Sequence, residues 1–161
     1  MRIEPCIESI DAGTPAPDTA ARAALPACVL DTNIVLAWLL FEDPQCRPLA
    51  AAITGGAVRW LASTPMRREL GHVLQRGFGA RRGANAVLEG WNRWACIVEP
   101  WDRPSLRHLL CSDSDDQKFI DLAVQVQASA LVSRDRAVLK LAKRASRHRL
   151  SIVSLGDWTP P

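Results

Sequence analysis

Apolar positions along the chain alternate between short runs and helical stripes. Residues 28–31 form a short apolar run that ends in an acid, as a buried strand does. Helical spacing follows over about 33–41 and 44–54, with a turn at Gly55 and Gly56 and a second strand over 58–62. Thr64 and Pro65 open a helix to about residue 76, threonine as its cap and proline at its first position. Gly77, Phe78 and Gly79 break the chain. A helix over about 84–94 precedes a third strand, 96–98, and a looser segment, 101–110. Ser114 and Gln117 fit a capping box for a helix ending near residue 127. A fourth strand over 130–133, a basic helix over 136–147 and a fifth strand over 151–154 complete the series.

Strands alternating with helices predict βαβ units and a parallel sheet covered on both faces. Right-handed crossovers point all strand C-termini one way, and ligands bind beyond those ends, where the strand order reverses. No internal repeat or second domain is visible. Residues 1–25 are rich in Ala, Pro, Gly and Asp with little to bury, so they are expected to form a disordered extension ahead of a domain over 26–161.

The totals change this picture little. A chain of 161 residues with 48% apolar content suits one domain with its own core. No apolar run approaches the ~18 residues a membrane span needs, and no basic region leads into an apolar stretch at the N-terminus. A cytoplasmic location without a membrane partner is the expectation. Five scattered cysteines with no close pair speak against a zinc site or a disulfide framework, and are read as reduced and mostly buried. The net charge is +3 and arginine supplies 17 of 20 basic residues, which suits an anionic partner such as nucleic acid but equally a biased composition.

The acids carry the chemistry. Asp31 ends the first strand and Asp135 follows the fourth, so both fall on one sheet edge, although each would also serve as a helix cap. At 100° per residue, Asp116 overlooks the apolar face made by Phe119, Ile120, Ala123 and Val126, whereas Asp121 points to the opposite side, towards solvent. Asp115 is the expected cap or a supporting group, and Asp113 lies outside the helix. Asp116 could instead serve the helix dipole. Glu69 borders the stripe Met66, Leu70, Val73 and Leu74, where a carboxylate wants a partner. Carboxylates converging on one edge repel one another unless a cation neutralises them. Oxygen-only ligation suits Mg²⁺ or Mn²⁺, which can activate water and stabilise a leaving oxygen in phosphodiester cleavage.

Three segments resemble the PIN-domain family over roughly residues 27–155. Val29-Leu30-Asp31-Thr32-Asn33 is similar to its opening strand motif, and Thr64-Pro65-Met66-Arg67-Arg68-Glu69-Leu70 to the helix bringing its glutamate. Residues 113–123 and 131–135 resemble the branch of toxin components of bacterial toxin–antitoxin pairs. The resemblance implies a three-layer α/β/α sandwich with a parallel five-stranded sheet. It implies a quartet, Asp31, Glu69, Asp116 and Asp135, that holds Mg²⁺ or Mn²⁺ and hydrolyses RNA. Asn33 would orient Asp31 or the substrate, and Ser133 keeps a hydroxyl where the family often has threonine.

The expected function is a metal-dependent endoribonuclease, the toxin of a toxin–antitoxin pair. A structure-specific DNA nuclease and a non-catalytic RNA-binding or interaction module are the alternatives. Expected partners are RNA and a cognate antitoxin. Arg67, Arg68, Arg134 and Arg136 are candidate RNA contacts. Arg136, Lys140, Lys143, Arg144 and Arg147 share one face that is either solvated or a phosphate rim, and Arg76, Arg81 and Arg82 form a second basic cluster. The six tryptophans suit core packing or a homodimer surface better than base stacking, and His72, His108 and His148 have no ligand spacing.

Overall fold

The computed structural model describes residues 23–78, 83–99 and 106–161. Arg81, Arg82, Trp101 and most of the expected N-terminal extension lie outside these residues. Five short strands make one parallel sheet: β1 (Ala27–Leu30), β2 (Arg59–Ala62), β3 (Ala95–Ile97), β4 (Ala130–Val132) and β5 (Ser151–Val153). Their order is β3-β2-β1-β4-β5. All four residues of β1 are buried, as a central strand covered on both faces requires. The chain moves outwards from β1 to β3, then returns to β4 on the other side of β1. Between β1 and β4 the order reverses, so that is the switch point where such a sheet holds its ligand.

Helices fill the connections: α1 (Thr32–Leu39), α2 (Arg47–Thr54), α3 (Thr64–Val73), α4 (Ala84–Trp94) and α5 (Gln117–Gln125). The three-layer α/β sandwich expected from the sequence is the fold observed. Trp60 of β2 is a core residue at 1% exposure. The Trp91 ring of α4 meets it edge-on at 4.8 Å and the Trp38 ring of α1 lies at 5.8 Å, which pins both helices to one face of the sheet. Gly56, with φ +74°, makes the turn into β2 in a conformation that favours glycine.

Several local expectations are corrected. The cap of α3 is Ser63, which makes no side-chain cap bond, and the Thr64 hydroxyl donates instead to Glu99 Oε1 at 2.7 Å. Past Val73 the chain continues as a π-turn, Leu74–Phe78. The single basic helix is broken into α6 (Arg136–Leu139), α7 (Ala142–Ala145) and a 3-10 turn, Ser146–His148. Its amphipathic division holds nonetheless: Val138, Leu141 and Ala145 are buried, while Arg136, Lys140, Lys143, Arg144 and Arg147 are exposed. Cys28, Cys46 and Cys111 are free thiols, and burial pushes Cys28 up to about 12; Cys96 is disulfide-bonded, against the reading of all five as reduced. No helix among the described residues is long and apolar enough to cross a membrane.

Candidate metal centre

The ladders that join β4 to β1 and to β5 each continue one step past the strands. Asp31 N–H donates to Val132 O at 3.1 Å and Ser133 N–H to Val153 O at 3.0 Å. This puts Asp31 and Ser133 side by side at the switch point. Both are buried, at 3% and 0% exposure. A buried carboxylate needs donors, and Asp31 has them. Its Oδ1 accepts the Ile34 N–H at 2.8 Å, capping α1, and its Oδ2 accepts the Ser133 hydroxyl and the Arg134 N–H at 3.2 Å. Burial pushes the Asp31 carboxyl up, against hydrogen bonds from Ser133, Ile34, Arg134 and Asn33 that pull it down. The capping reading and the site reading of Asp31 are therefore compatible.

Ser133 Oγ also accepts the Asp135 N–H at 2.9 Å, so one hydroxyl links two of the expected acids. Asp135 is half-buried, and its Oδ1 accepts the Ala137 N–H at 2.6 Å as the cap of α6. Asp116 sits at the end of a 3-10 turn, Ser114–Asp116, that leads into α5. The cap of that turn is Asp113, whose Oδ1 accepts the Asp115 N–H at 2.9 Å, rather than Ser114 or Asp115. Asp116 is half-buried and pushed up to about 6, by burial first and then by Asp135, Asp113 and Asp31, with Lys118 partly offsetting them. Asp31, Asp116 and Asp135 thus share one electrostatic neighbourhood.

Glu69 joins the cluster through neighbours. Its Oε1 accepts the Thr32 hydroxyl at 2.6 Å, and its Oε2 is paired with the Lys118 ammonium. Asp121, expected in solvent, is half-buried and accepts from Gln117 Nε2 at 2.8 Å. Gln117 does not close a capping box on Ser114. Its Oε1 accepts the Cys111 N–H at 2.7 Å and its Nε2 donates to Leu109 O at 3.3 Å. Asn33 and Asp115 are exposed. Among the candidate nucleic-acid contacts, Arg68 and Arg136 are exposed, Arg67 is half-buried, and the Arg134 guanidinium turns to Asp43 and Gln45.

Thr32 and Lys118 are the residues that sequence reasoning missed. Each lies near a chosen acid in sequence, Thr32 next to Asp31 and Lys118 two places after Asp116, but their partner Glu69 is distant in the chain. Among the described residues, no three Asp, Glu, His or Cys side chains are set to hold one ion as they stand. The donor chemistry still fits a hard divalent cation: the candidate groups offer carboxylate and hydroxyl oxygens only, and Asp116 is raised by burial and by neighbouring acids, both of which a cation would offset. Glu69 is paired with Lys118, and Asp135 caps α6 through one oxygen.

Residues 27–137 match the family described as PIN domain. No curated protein matches the sequence. Among solved structures, a chain of the crystal structure of VapBC2 from Rickettsia felis bound to a DNA fragment from their promoter has a TM-score of 0.59 at 15% identity, with 80% of this chain and 98% of that chain covered. At that identity the likeness shows a shared fold. The family match spans most of the chain, and the chain belongs to the PIN-domain family.

Proposed function

We propose, from the premise that this chain is a PIN domain, that it is a divalent-metal-dependent endoribonuclease whose Asp31, Glu69, Asp116 and Asp135 hold Mg²⁺ or Mn²⁺. What supports the reading is that the Ser133 hydroxyl links Asp31 and Asp135 at the switch point, and that Asp116 is raised to about 6 by burial first and then by Asp135, Asp113 and Asp31. A cation would offset both the burial of Asp116 and the repulsion among the acids. When bound, the ion would make water a usable nucleophile and stabilise the leaving oxygen of a phosphodiester.

The chain's own groups have separate tasks. Ser133 and the Arg134 N–H hold Asp31 in one orientation, as supporting donors behind a ligand do. Ser133 also fixes the backbone of Asp135. Thr32 aims Glu69 towards the cluster. Exposed Arg68 and Arg136, beside Glu69 and Asp135 in sequence, would meet the phosphate backbone, and the exposed face over α6 and α7 would extend that path. The resemblance of residues 113–123 to toxin components, and the likeness to a VapBC2 chain, support a toxin neutralised by a cognate antitoxin.

The test is cleavage of single-stranded RNA, single-stranded DNA and flap DNA with Mn²⁺, with EDTA, and with Asp31→Asn. RNA cleavage that needs Mn²⁺ and falls to the EDTA level in Asp31→Asn is the expected result. Cleavage surviving both chelation and substitution would sink the metal-nuclease reading. Preference for flap DNA would reassign the substrate, and RNA binding without cleavage would make the chain a binding module.

A further inference from the structure

The cation at this acidic edge is a lysine of the chain itself. Lys118 lies in the first turn of α5, two residues past Asp116, and its ammonium pairs with Glu69 Oε2. The same ammonium donates to the Asp115 carbonyl and lies 4.9 Å from the centroid of the Phe119 ring. The other oxygen of Glu69 is held by Thr32 at 2.6 Å. Both oxygens of the glutamate are therefore engaged. Arg134 follows the switch-point strand β4 but gives its guanidinium to Asp43 and Gln45.

We propose that Lys118 is a resident counter-cation of this site: it occupies Glu69 until a divalent ion displaces it, and the exchange sets how tightly the metal is held. The inference rests on the metal-site reading above and concerns the regulation of that same site. Two physical facts make the exchange feasible. The pair is accessible, with side-chain exposures of 26% for Lys118 and 30% for Glu69, and such pairs are weak. A lysine chain is flexible, so its ammonium can leave without moving the helix. Glu69 released by Lys118 keeps its bond from Thr32, the residue that follows Asp31.

The experiment titrates Mn²⁺ calorimetrically against the full chain and its Lys118→Met, Lys118→Arg, Glu69→Gln and Glu69→Gln/Lys118→Met variants. Near-ultraviolet circular dichroism checks the fold, and Lys118→Gln replaces the methionine variant if that one fails to fold. Lys118→Met is expected to bind Mn²⁺ about two- to fivefold more tightly, the scale of losing one partly exposed competitor. Lys118→Arg should bind as the unsubstituted chain does, and the gain from Lys118→Met should vanish when Glu69 is already Gln. Equal or weaker binding by Lys118→Met overturns the proposal and leaves the metal reading standing. A gain that persists undiminished without Glu69 also overturns it, since bulk charge would then suffice. Failure of the unsubstituted chain and every variant to bind Mn²⁺ overturns the metal reading as well.

Discussion

Asp116 shows how a single residue records the purpose of its neighbours. In the folded chain it keeps its proton up to about 6, against roughly 4 for an unperturbed aspartate. Between those values the folded state binds more protons than the unfolded one, so stability falls as pH rises through the window. The metal-free chain should therefore melt at a lower temperature at about pH 7.5 than at about pH 5, and Asp116→Asn should remove part of that drop. Mn²⁺ affinity should rise with pH through about 6, because the ligand must ionise first. Calorimetric melting and Mn²⁺ titration across that range check both, and a melting drop identical in Asp116→Asn would show that another group titrates. The strand-end positions of Asp31 and Asp135 were legible in the sequence. The helical angle that separated Asp116 from Asp121 was a poorer guide, since Asp116 ends a 3-10 turn ahead of the helix and Asp121 is half-buried. Thr32 and Lys118 were not legible, because what marks them is a contact with Glu69 from remote parts of the chain.

At the scale of elements, short apolar runs and helical stripes gave the strand–helix series because parallel strands bury both faces and leave no polar alternation to confuse them. The span 84–94 read from the pattern is the helix observed. Caps were less legible, since the choice among Asp113, Ser114 and Asp115 turns on one hydrogen bond. Nor does the pattern mark the break between α6 and α7, where neither glycine nor proline stands and Leu141 N–H turns to Val138 O at 3.0 Å. Gln117 matters more than a cap would. It ties the approach segment at Leu109 and Cys111 to α5, and that segment leads directly to Asp113 and Asp116. Gln117→Ala should cost about 1–2 kcal/mol, the net of a few half-exposed hydrogen bonds. It should also speed amide exchange at Cys111. Urea unfolding and hydrogen exchange measure the two effects, and unchanged exchange at Cys111 would show that the segment is held by its apolar contacts instead.

For the whole molecule, topology explains more than composition does. A net charge of +3 is an ambiguous hint, whereas the order β3-β2-β1-β4-β5 brings residues about a hundred positions apart, Asp31 and Ser133, into contact at one edge. The folding of a βαβ sheet thereby brings together acids from separate segments, and Ser133, backbone N–H groups and Lys118 supply partners for Asp31 and Glu69. Whether Asp31, Glu69, Asp116 and Asp135 form one divalent-metal site is tested most directly by anomalous diffraction from a crystal of the chain soaked in Mn²⁺. The expected result is a peak at the switch point between β1 and β4, bound by Asp31, Asp116 and Asp135, with Glu69 turned off Lys118. A fully soaked crystal with no peak there, or with Mn²⁺ bound only elsewhere, would contradict it.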